Sequence, residues 1–240
     1  MKKDNSVNLI YGRNAVKEAL LVSRVQKVYI SKSFHDQAVS KLLHEKVIPQ
    51  IVRSNEELNE LAQGGIHQGI VAVIKPYEFT TLETILNNCK DDKRPILVLL
   101  DGVVDPHNLG AILRCCDIFG VKGVLIGKHD QVGLTATVAK TSAGAINYVP
   151  VAQVGNLSQT IELLKKQGFW IVAADGNCNK SYLDLDYDFP TVLVIGNEGH
   201  GISPLVLKNS DFIVKIPMYG KVNSLNASVA AGIFLSRIKG

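Results

Sequence analysis

The chain has 240 residues, of which 46% are hydrophobic and 20% are charged, and its formal net charge is +4 at pH 7. This composition is that of a globular protein with a sizeable apolar core, and it excludes a disordered chain. Because no apolar run reaches membrane-spanning length and no apolar signal segment follows the charged N-terminus, we expect a cytoplasmic protein without a membrane partner. The mild basic excess is compatible with a polyanionic partner but does not require one.

Helices and strands alternate in the N-terminal third of the sequence. Apolar patterning predicts helices over residues 14–22 and 36–46, and a third helix that begins after the capping-box pair Ser54 and Glu57. Short β-type runs predict strands, which are 27–30, 50–52 and 70–74. These elements together predict a small α/β domain over residues 1–75.

A linker that carries a short helix is predicted over residues 76–94. The spacing Thr80-x-x-Glu83 is typical of a capping box, and the apolar residues after it predict a helix from Leu82 to about Cys89.

The remainder, residues 95–240, has stronger strand signals. Near-continuous apolar runs predict strands at 96–100, 121–126, 170–174, 191–195 and 212–216. Between and after them, helices are predicted at 109–119, 157–166, 204–208 and 225–238. Such alternation indicates a doubly wound α/β domain with a mostly parallel sheet.

The four cysteines are Cys89, Cys115, Cys116 and Cys178. They form no CxxC pair, and no histidine lies at the spacing of a zinc ligand, so the sequence predicts no metal site. We expect buried, free thiols in a reducing compartment.

Three polar and glycine-rich segments follow strands of this second domain, at residues 105–114, 195–201 and 216–228. Open α/β sheets place ligands at the carboxyl ends of their strands, so these segments predict one ligand site. Neither the dinucleotide-binding Gly-x-Gly-x-x-Gly after the first strand nor a Walker A loop is present, so we expect neither of these two familiar phosphate-binding schemes.

Several side chains in these segments have two interpretations. Asn108 is either a helix N-cap or a site residue, and Arg114 either extends to solvent from an apolar face or binds a phosphate. Glu198 is either a specificity group or an exposed turn carboxylate. Ser224 or Asn226 could cap the last helix, although capping requires just one of them.

Two histidines of these segments flank the predicted site, namely His107 and His200. No neighbouring nucleophile and carboxylate complete a hydrolytic triad with either one, so we treat both as structural or peripheral.

In this order and spacing, the three segments resemble the signature motifs of the SpoU (TrmH-like) group of SPOUT RNA 2′-O-ribose methyltransferases. The resemblance covers almost the whole chain. Residues 11–16 and 65–72 are similar to the L30e-like RNA-binding domain of the 23S rRNA guanosine-2′-O-methyltransferase (RlmB) subgroup. The resemblance implies a trefoil-knotted methyltransferase domain over 95–240, an L30e-like substrate-binding domain over 1–75, and a homodimer.

The resemblance also implies the cofactor, the substrate and the site residues. The methyl donor would be S-adenosylmethionine. The methyl acceptor would be the ribose of a guanosine in 23S rRNA or in a ribosomal precursor. The implied cofactor contacts are Gly196, Ile216 and Leu225. The implied catalytic residues are Asn108, Arg114, Glu198, Ser224 and Asn226.

Methyl transfer requires the ribose 2′-hydroxyl to lose its proton. The resemblance implies that Arg114 is the base, assisted by a substrate phosphate. Because an arginine with a pKa above about 12 barely deprotonates, we favour a different role, in which Arg114 anchors the phosphate and polarises the 2′-oxygen. Ser224, Asn226 and Asn108 would then orient the nucleotide.

Two alternatives stay open from the sequence. One is a tRNA ribose 2′-O-methyltransferase of the same family, and the other is a non-catalytic RNA-binding factor of ribosome assembly. The N-terminal domain favours rRNA over tRNA, and the intact polar residues favour an enzyme over an assembly factor.

Overall fold

The computed structural model describes residues 9–128, 132–222 and 224–240. Its strands are β1 (Leu9–Tyr11), β2 (Val25–Ser31), β3 (Gln50–Arg53), β4 (Ile70–Ile74), β5 (Ile96–Asp101), β6 (Gly123–Gly127), β7 (Val151–Val154), β8 (Trp170–Ala174), β9 (Thr191–Gly196) and β10 (Phe212–Val214). Its α-helices are α1 (Arg13–Leu21), α2 (Gln37–Glu45), α3 (Asn55–Leu61), α4 (Leu82–Asn87), α5 (Pro106–Ile118), α6 (Ala136–Thr141), α7 (Leu157–Lys166), α8 (Pro204–Lys208) and α9 (Ala227–Lys239). Within these residues, none of the helices has the length and apolar character that crossing a membrane requires.

The chain divides into two compact units. The first unit consists of Met1–Glu78 together with Leu134–Asn147, and the second consists of Phe79–Gly133 and Tyr148–Gly240.

The first unit contains a four-stranded sheet in the order β1-β4-β2-β3. Strand β4 is buried along its whole length and pairs antiparallel with β1 and β2, whereas β2 pairs parallel with β3. The predicted strands of this region are therefore present. Strand β1 was missed because three residues are too short to show a periodic pattern, and helix α6 because several of its residues are β-branched, which is a weak helix signal.

One of the two predicted capping boxes is confirmed. The Ser54 hydroxyl accepts a hydrogen bond from Glu57 N, and the Glu57 carboxylate accepts one from Ser54 N, so this pair begins α3. The box at Thr80 is wrong by one residue, since Thr81 caps α4 by accepting from Thr84 N. Thr80 instead forms a bridge to Ala152, and its N donates to Val151 O at 2.8 Å.

The second unit contains a six-stranded, all-parallel sheet in the order β10-β8-β9-β5-β6-β7. The α/β class and the mostly parallel sheet are therefore confirmed. Strands β5 and β9 are central and almost fully buried, which explains why their sequences are continuously apolar. The short strand β7 was missed.

Several predicted boundaries in this unit need correction. The strand predicted from Val121 begins at Gly123, because Val121 N donates to Cys116 O and closes the end of α5. The strand predicted to Ile216 ends at Val214, since Lys215 leaves β8 to bridge with Ser181. Helix α5 begins earlier than predicted, at Pro106, and α9 begins later, at Ala227.

The thiols are free, but just two of the four are buried. Burial raises the pKa of Cys89 to about 11 and raises the pKa of Cys116 well above its usual range, so both stay protonated at neutral pH. Cys115 and Cys178 are partly exposed, contrary to the prediction. Cys115 lies where α5 packs on α9, with its sulfur 3.4 Å from the position that a Cβ on Gly232 would occupy.

Removing the α3 cap tests the local stability of the first unit. The change Ser54→Ala should lower the free energy of unfolding by about 1 kcal/mol, because Glu57 N loses its acceptor. Urea denaturation of the first unit measures the effect. Ser40→Ala, which removes a hydroxyl from the exposed side of α2, is the matched control and should not destabilise the protein.

Candidate active site

A cavity of about 350 Å³ lies at the carboxyl ends of β8, β9 and β10 in the second unit. Its walls come from residues 174–177 at the end of β8 and 195–201 at the end of β9. Further lining residues end or follow β10 or lie at and in α9, namely Val214, Lys215, Ile216, Met218, Ser224, Leu225, Ala227, Ala230 and Phe234. Because β8 and β9 are neighbours in the parallel sheet, the loops that follow them meet at the same edge. The second and third of the polar segments contribute to these walls, whereas no residue of the first segment, 105–114, is among the lining residues.

The loop after β9 is a tight turn that requires glycine. Asn197 N donates to Gly201 O at 3.0 Å, and Gly201 N donates to Asn197 O at 2.9 Å, so the turn closes on itself. A Cβ on Gly196 would lie 2.3 Å from the carbonyl carbon of Gly201, a distance that the backbone cannot accept. The absence of a side chain at Gly196 therefore permits the turn and leaves its backbone open to the cavity.

The Asn197 side chain holds this turn to the end of β5, and the sequence analysis missed it. Its Nδ2 donates to Gly102 O at 2.7 Å, while its Oδ1 accepts from Gly199 N at 2.7 Å and from His200 N at 3.2 Å. An asparagine that directly follows a glycine, in the sequence Gly-Asn-Glu-Gly, is a common turn residue, and that signal was available.

The three polar segments are joined by a chain of side-chain hydrogen bonds. Asn226 Nδ2 donates to Asn108 Oδ1 at 2.8 Å, and Asn108 Nδ2 in turn donates to the Glu198 carboxylate. We call Asn226, Asn108 and Glu198 the amide relay. Each of its members comes from a different segment, so the relay fixes the segments relative to one another.

The relay decides between the interpretations of Asn108 and Asn226. Asn108 is 7% exposed and lies inside α5, whose N-cap is Asp105, so the capping interpretation of Asn108 is wrong. Asn226 caps α9, because its Oδ1 accepts from Ser228 N at 2.9 Å and from Val229 N at 3.3 Å, and its Nδ2 is the donor to Asn108. Capping of α9 by Ser224 is excluded by the same contacts.

The residues proposed for the cofactor, Gly196, Ile216 and Leu225, all line the cavity. Glu198 and Ser224 line it too. His200 is at its wall, whereas His107 is exposed on α5 and is not among the lining residues.

Arg114 is not brought into the amide relay. It is exposed on α5, six residues after Asn108, which is about 9 Å along the axis and roughly 120° around it. Within the described part of the chain it forms neither a hydrogen bond nor a salt bridge. Its guanidinium is therefore available to a group outside the described chain.

A further carboxylate that lines the cavity was also missed. Asp175 follows β8, and its Oδ1 accepts from Asn177 N at 3.0 Å and from Asn177 Nδ2 at 3.2 Å. With Glu198 it gives the cavity two carboxylates, beside Lys215 and His200. A cavity of this size, with backbone groups, apolar side chains and carboxylates, suits a small organic ligand that carries positive charge.

The sequence matches two family models. Residues 95–236 match the SpoU rRNA Methylase family, and residues 9–80 match a domain described as RNA 2′-O ribose methyltransferase substrate binding. A protein of Staphylococcus haemolyticus named as a TrmH family tRNA/rRNA methyltransferase is 44% identical over 236 residues, which are 96% of this chain and 94% of that protein.

Solved structures share the fold. The SpoU methyltransferase AviRb from Streptomyces viridochromogenes, in complex with the cofactor AdoMet, has a TM-score of 0.81 and 25% identity, over 96% of this chain and 88% of that one. The A. aeolicus TrmH/SpoU tRNA modifying enzyme has a TM-score of 0.56 and 32% identity, over 66% of this chain and 80% of that one. The chain with the amide relay therefore belongs to the SpoU rRNA Methylase family and is an RNA methyltransferase of the SpoU/TrmH type.

Proposed function

We propose that this enzyme transfers a methyl group from S-adenosylmethionine to the 2′-hydroxyl of a guanosine ribose in 23S rRNA. The observation that carries the proposal is the glycine-lined cavity at the strand ends, joined by the amide relay to α5. The family membership supports the reaction class, and the substrate-binding match over residues 9–80 supports an RNA substrate.

The cavity fits S-adenosylmethionine in shape and charge. The missing Cβ of Gly196 leaves the backbone of the turn exposed to a ligand, and the volume of about 350 Å³ is in the range of small-molecule pockets. Ile216 and Leu225 provide apolar side chains and main-chain groups against which an adenine can lie. Asp175 and Glu198 supply negative charge that suits a cationic donor.

When bound, S-adenosylmethionine supplies an electrophilic methyl group, so that transfer forms an O–C bond at the ribose, breaks a C–S bond and releases the hydroxyl proton. The amide relay holds the Glu198 carboxylate in one position, because the Asn108 amide that bonds it is itself fixed by Asn226. Ser224, exposed at the rim, offers a hydroxyl to the target nucleotide. Much of the acceleration would then come from alignment of the acceptor.

In the proposed mechanism, Arg114 binds a phosphate of the RNA and does not act as the base. A guanidinium binds a phosphate with two parallel hydrogen bonds, and it keeps its charge near neutral pH. Ile118, 66% exposed and one turn after Arg114, gives this face of α5 an apolar residue as well. We therefore propose a homodimer in which this face meets a second copy and Arg114 acts beside the site.

A tRNA substrate is the second candidate. It is favoured by the 32% identity to the A. aeolicus tRNA modifying enzyme, which covers 66% of this chain. The separate N-terminal unit favours rRNA, because a match to a dedicated substrate-binding domain accounts for it.

Gly196→Ala should weaken cofactor binding without unfolding the sheet. The new methyl would overlap the backbone at Gly201 and Ile202, so the turn must move, and we expect the affinity for S-adenosylmethionine to fall at least about tenfold. Isothermal titration calorimetry measures it. Gly155→Ala is the matched control, since a Cβ there meets no atom within 4 Å. Equal affinities in the two variants would contradict the assignment of the cavity.

Arg114→Lys separates a geometric role from a purely electrostatic one. The lysine keeps the charge but loses the two-pronged contact, so we expect turnover to fall roughly 100-fold while cofactor affinity stays the same. Single-turnover methylation of total RNA with labelled cofactor measures this. Arg94→Lys changes an exposed arginine that pairs with Asp188, and it should leave turnover unchanged. Near-wild-type turnover of Arg114→Lys would refute the anchoring role.

Deleting the gene should remove one 2′-O-methyl mark. We expect the lost mark on a guanosine of 23S rRNA, and chemical mapping of 2′-O-methyl sites in rRNA and tRNA from parent and deletion strains checks it. Loss of a tRNA mark instead would establish the second candidate, and loss of neither would reject both substrates.

A further inference from the structure

A second cavity, of about 390 Å³, lies in the first unit, where four connections meet at one end of its sheet. These connections join β1 to α1, β2 to α2, β3 to α3, and α3 to β4. The side chains that line the cavity are Arg13, Ser31, Ser33, Phe34, Asn55 and Gln68. Among these described residues Arg13 alone is charged, which favours a ligand with an anionic group.

The floor of this cavity is closely packed. Ser31 is 5% exposed, its N donates to Gly69 O at 2.9 Å, and its hydroxyl lies 3.3 Å from that of Ser33. Gly69 has a φ of +82°, and a Cβ there would lie 2.9 Å from the Ser31 hydroxyl and 3.3 Å from the Phe34 ring. A glycine at this position thus keeps the floor flat against the serine and the aromatic ring.

Gln68 presents hydrogen-bond donors at the edge of the cavity. Its backbone is left-handed, with a φ of +52°, and its Oε1 accepts a hydrogen bond from Arg13 N at 2.9 Å. This bond fixes the carboxamide, while its Nε2 has no acceptor among the residues that the structure describes. Two N–H donors on a fixed amide can recognise the acceptor edge of a planar ligand.

Phe34 and Arg13 supply the other two elements of recognition. The Phe34 ring is half-buried, and the Arg13 guanidinium lies over its face, 5.8 Å from the centroid, so a base that stacks on this face requires the exposed arginine side chain to move aside. An aromatic face binds a nucleobase by stacking, and a neighbouring guanidinium binds the phosphate attached to it. Asn55, exposed at the start of α3, adds a second amide.

The geometry points to a binding site for one unpaired RNA nucleotide, with its base on Phe34, its base edge on the amides of Gln68 and Asn55, and its phosphate on Arg13. The inference rests on the proposed function, because that function makes RNA the substrate. A paired base cannot leave its stack to enter a concave site without breaking the pair, so the site selects single-stranded segments such as loops.

The test compares two RNA probes on the full chain by fluorescence anisotropy. One probe is a hairpin RNA pool with a randomised loop, and the other is a duplex made of the same stem without the loop. Phe34→Leu keeps an apolar side chain but removes the stacking face, so its affinity for the hairpin should fall at least about fivefold. Phe34→Tyr keeps the face and should retain the affinity.

Arg13→Gln removes the phosphate contact but keeps the backbone N–H that bonds Gln68, so it should also weaken hairpin binding. Lys41→Gln is the charge-matched control on the exposed side of α2, and it should bind as the wild type does. Duplex binding and the calorimetric affinity for S-adenosylmethionine should be unchanged in every variant, which also shows that each variant is folded.

Three results would overturn the inference: unchanged hairpin binding by Phe34→Leu, an equal loss of duplex binding, or no preference of the wild type for the hairpin. If the variants bind free RNA normally but lose association with ribosomal particles, the cavity contacts a protein and the inference is wrong. If the proposed function itself were wrong, the wild type would transfer no methyl group to any RNA, and this result differs from the three above.

Discussion

The amide relay is the interaction on which the arrangement of the second unit's site depends. Asn226, Asn108 and Glu198 are separated by long stretches of sequence, and their side chains meet through two hydrogen bonds. Asn108 is buried, so loss of either partner would leave a polar group without water or a hydrogen bond, at a cost of about 1–3 kcal/mol. The relay therefore keeps the turn after β9, the start of α5 and the start of α9 together.

The parallel sheet makes that meeting possible. Strands β5 and β9 are adjacent in the centre of the sheet, and β8 lies on the other side of β9. Their carboxyl ends all point the same way, so the residues after them share one edge. Asp101 strengthens this edge, because its carboxylate at the end of β5 accepts from Ser203 N at 2.8 Å.

Much of this architecture could be predicted from the sequence, for reasons visible in particular elements. The central strands are continuous apolar runs, and the Ser54–Glu57 pair is a local signal that needs no tertiary information. The short strands β1 and β7 could not be found, because they are stabilised by pairing with neighbours rather than by their own pattern. The early start of α5 was missed because Asp105 and Pro106, a cap followed by a first-turn proline, were assigned to the loop.

The place of the candidate site in the fold could be predicted from the sequence more readily than the side-chain contacts within it. That the polar segments share an edge follows from strand order, but the pairing of Asn108 with both Glu198 and Asn226 is a tertiary contact that no local pattern encodes. Because the sequence does not encode this contact, it could not decide whether Asn108 and Asn226 cap a helix or belong to the site. Arg114 was grouped with them by the family resemblance, while the helix geometry points its side chain elsewhere.

The two polar atoms of the Asn226 carboxamide form hydrogen bonds with different parts of the structure. Its oxygen caps α9, and its nitrogen bonds Asn108. Aspartate would preserve the cap and lose the donor, whereas glutamine would carry both atoms too far from the backbone. Selection for folding alone could therefore accept aspartate at this position, whereas the contact to Asn108 requires the amide nitrogen.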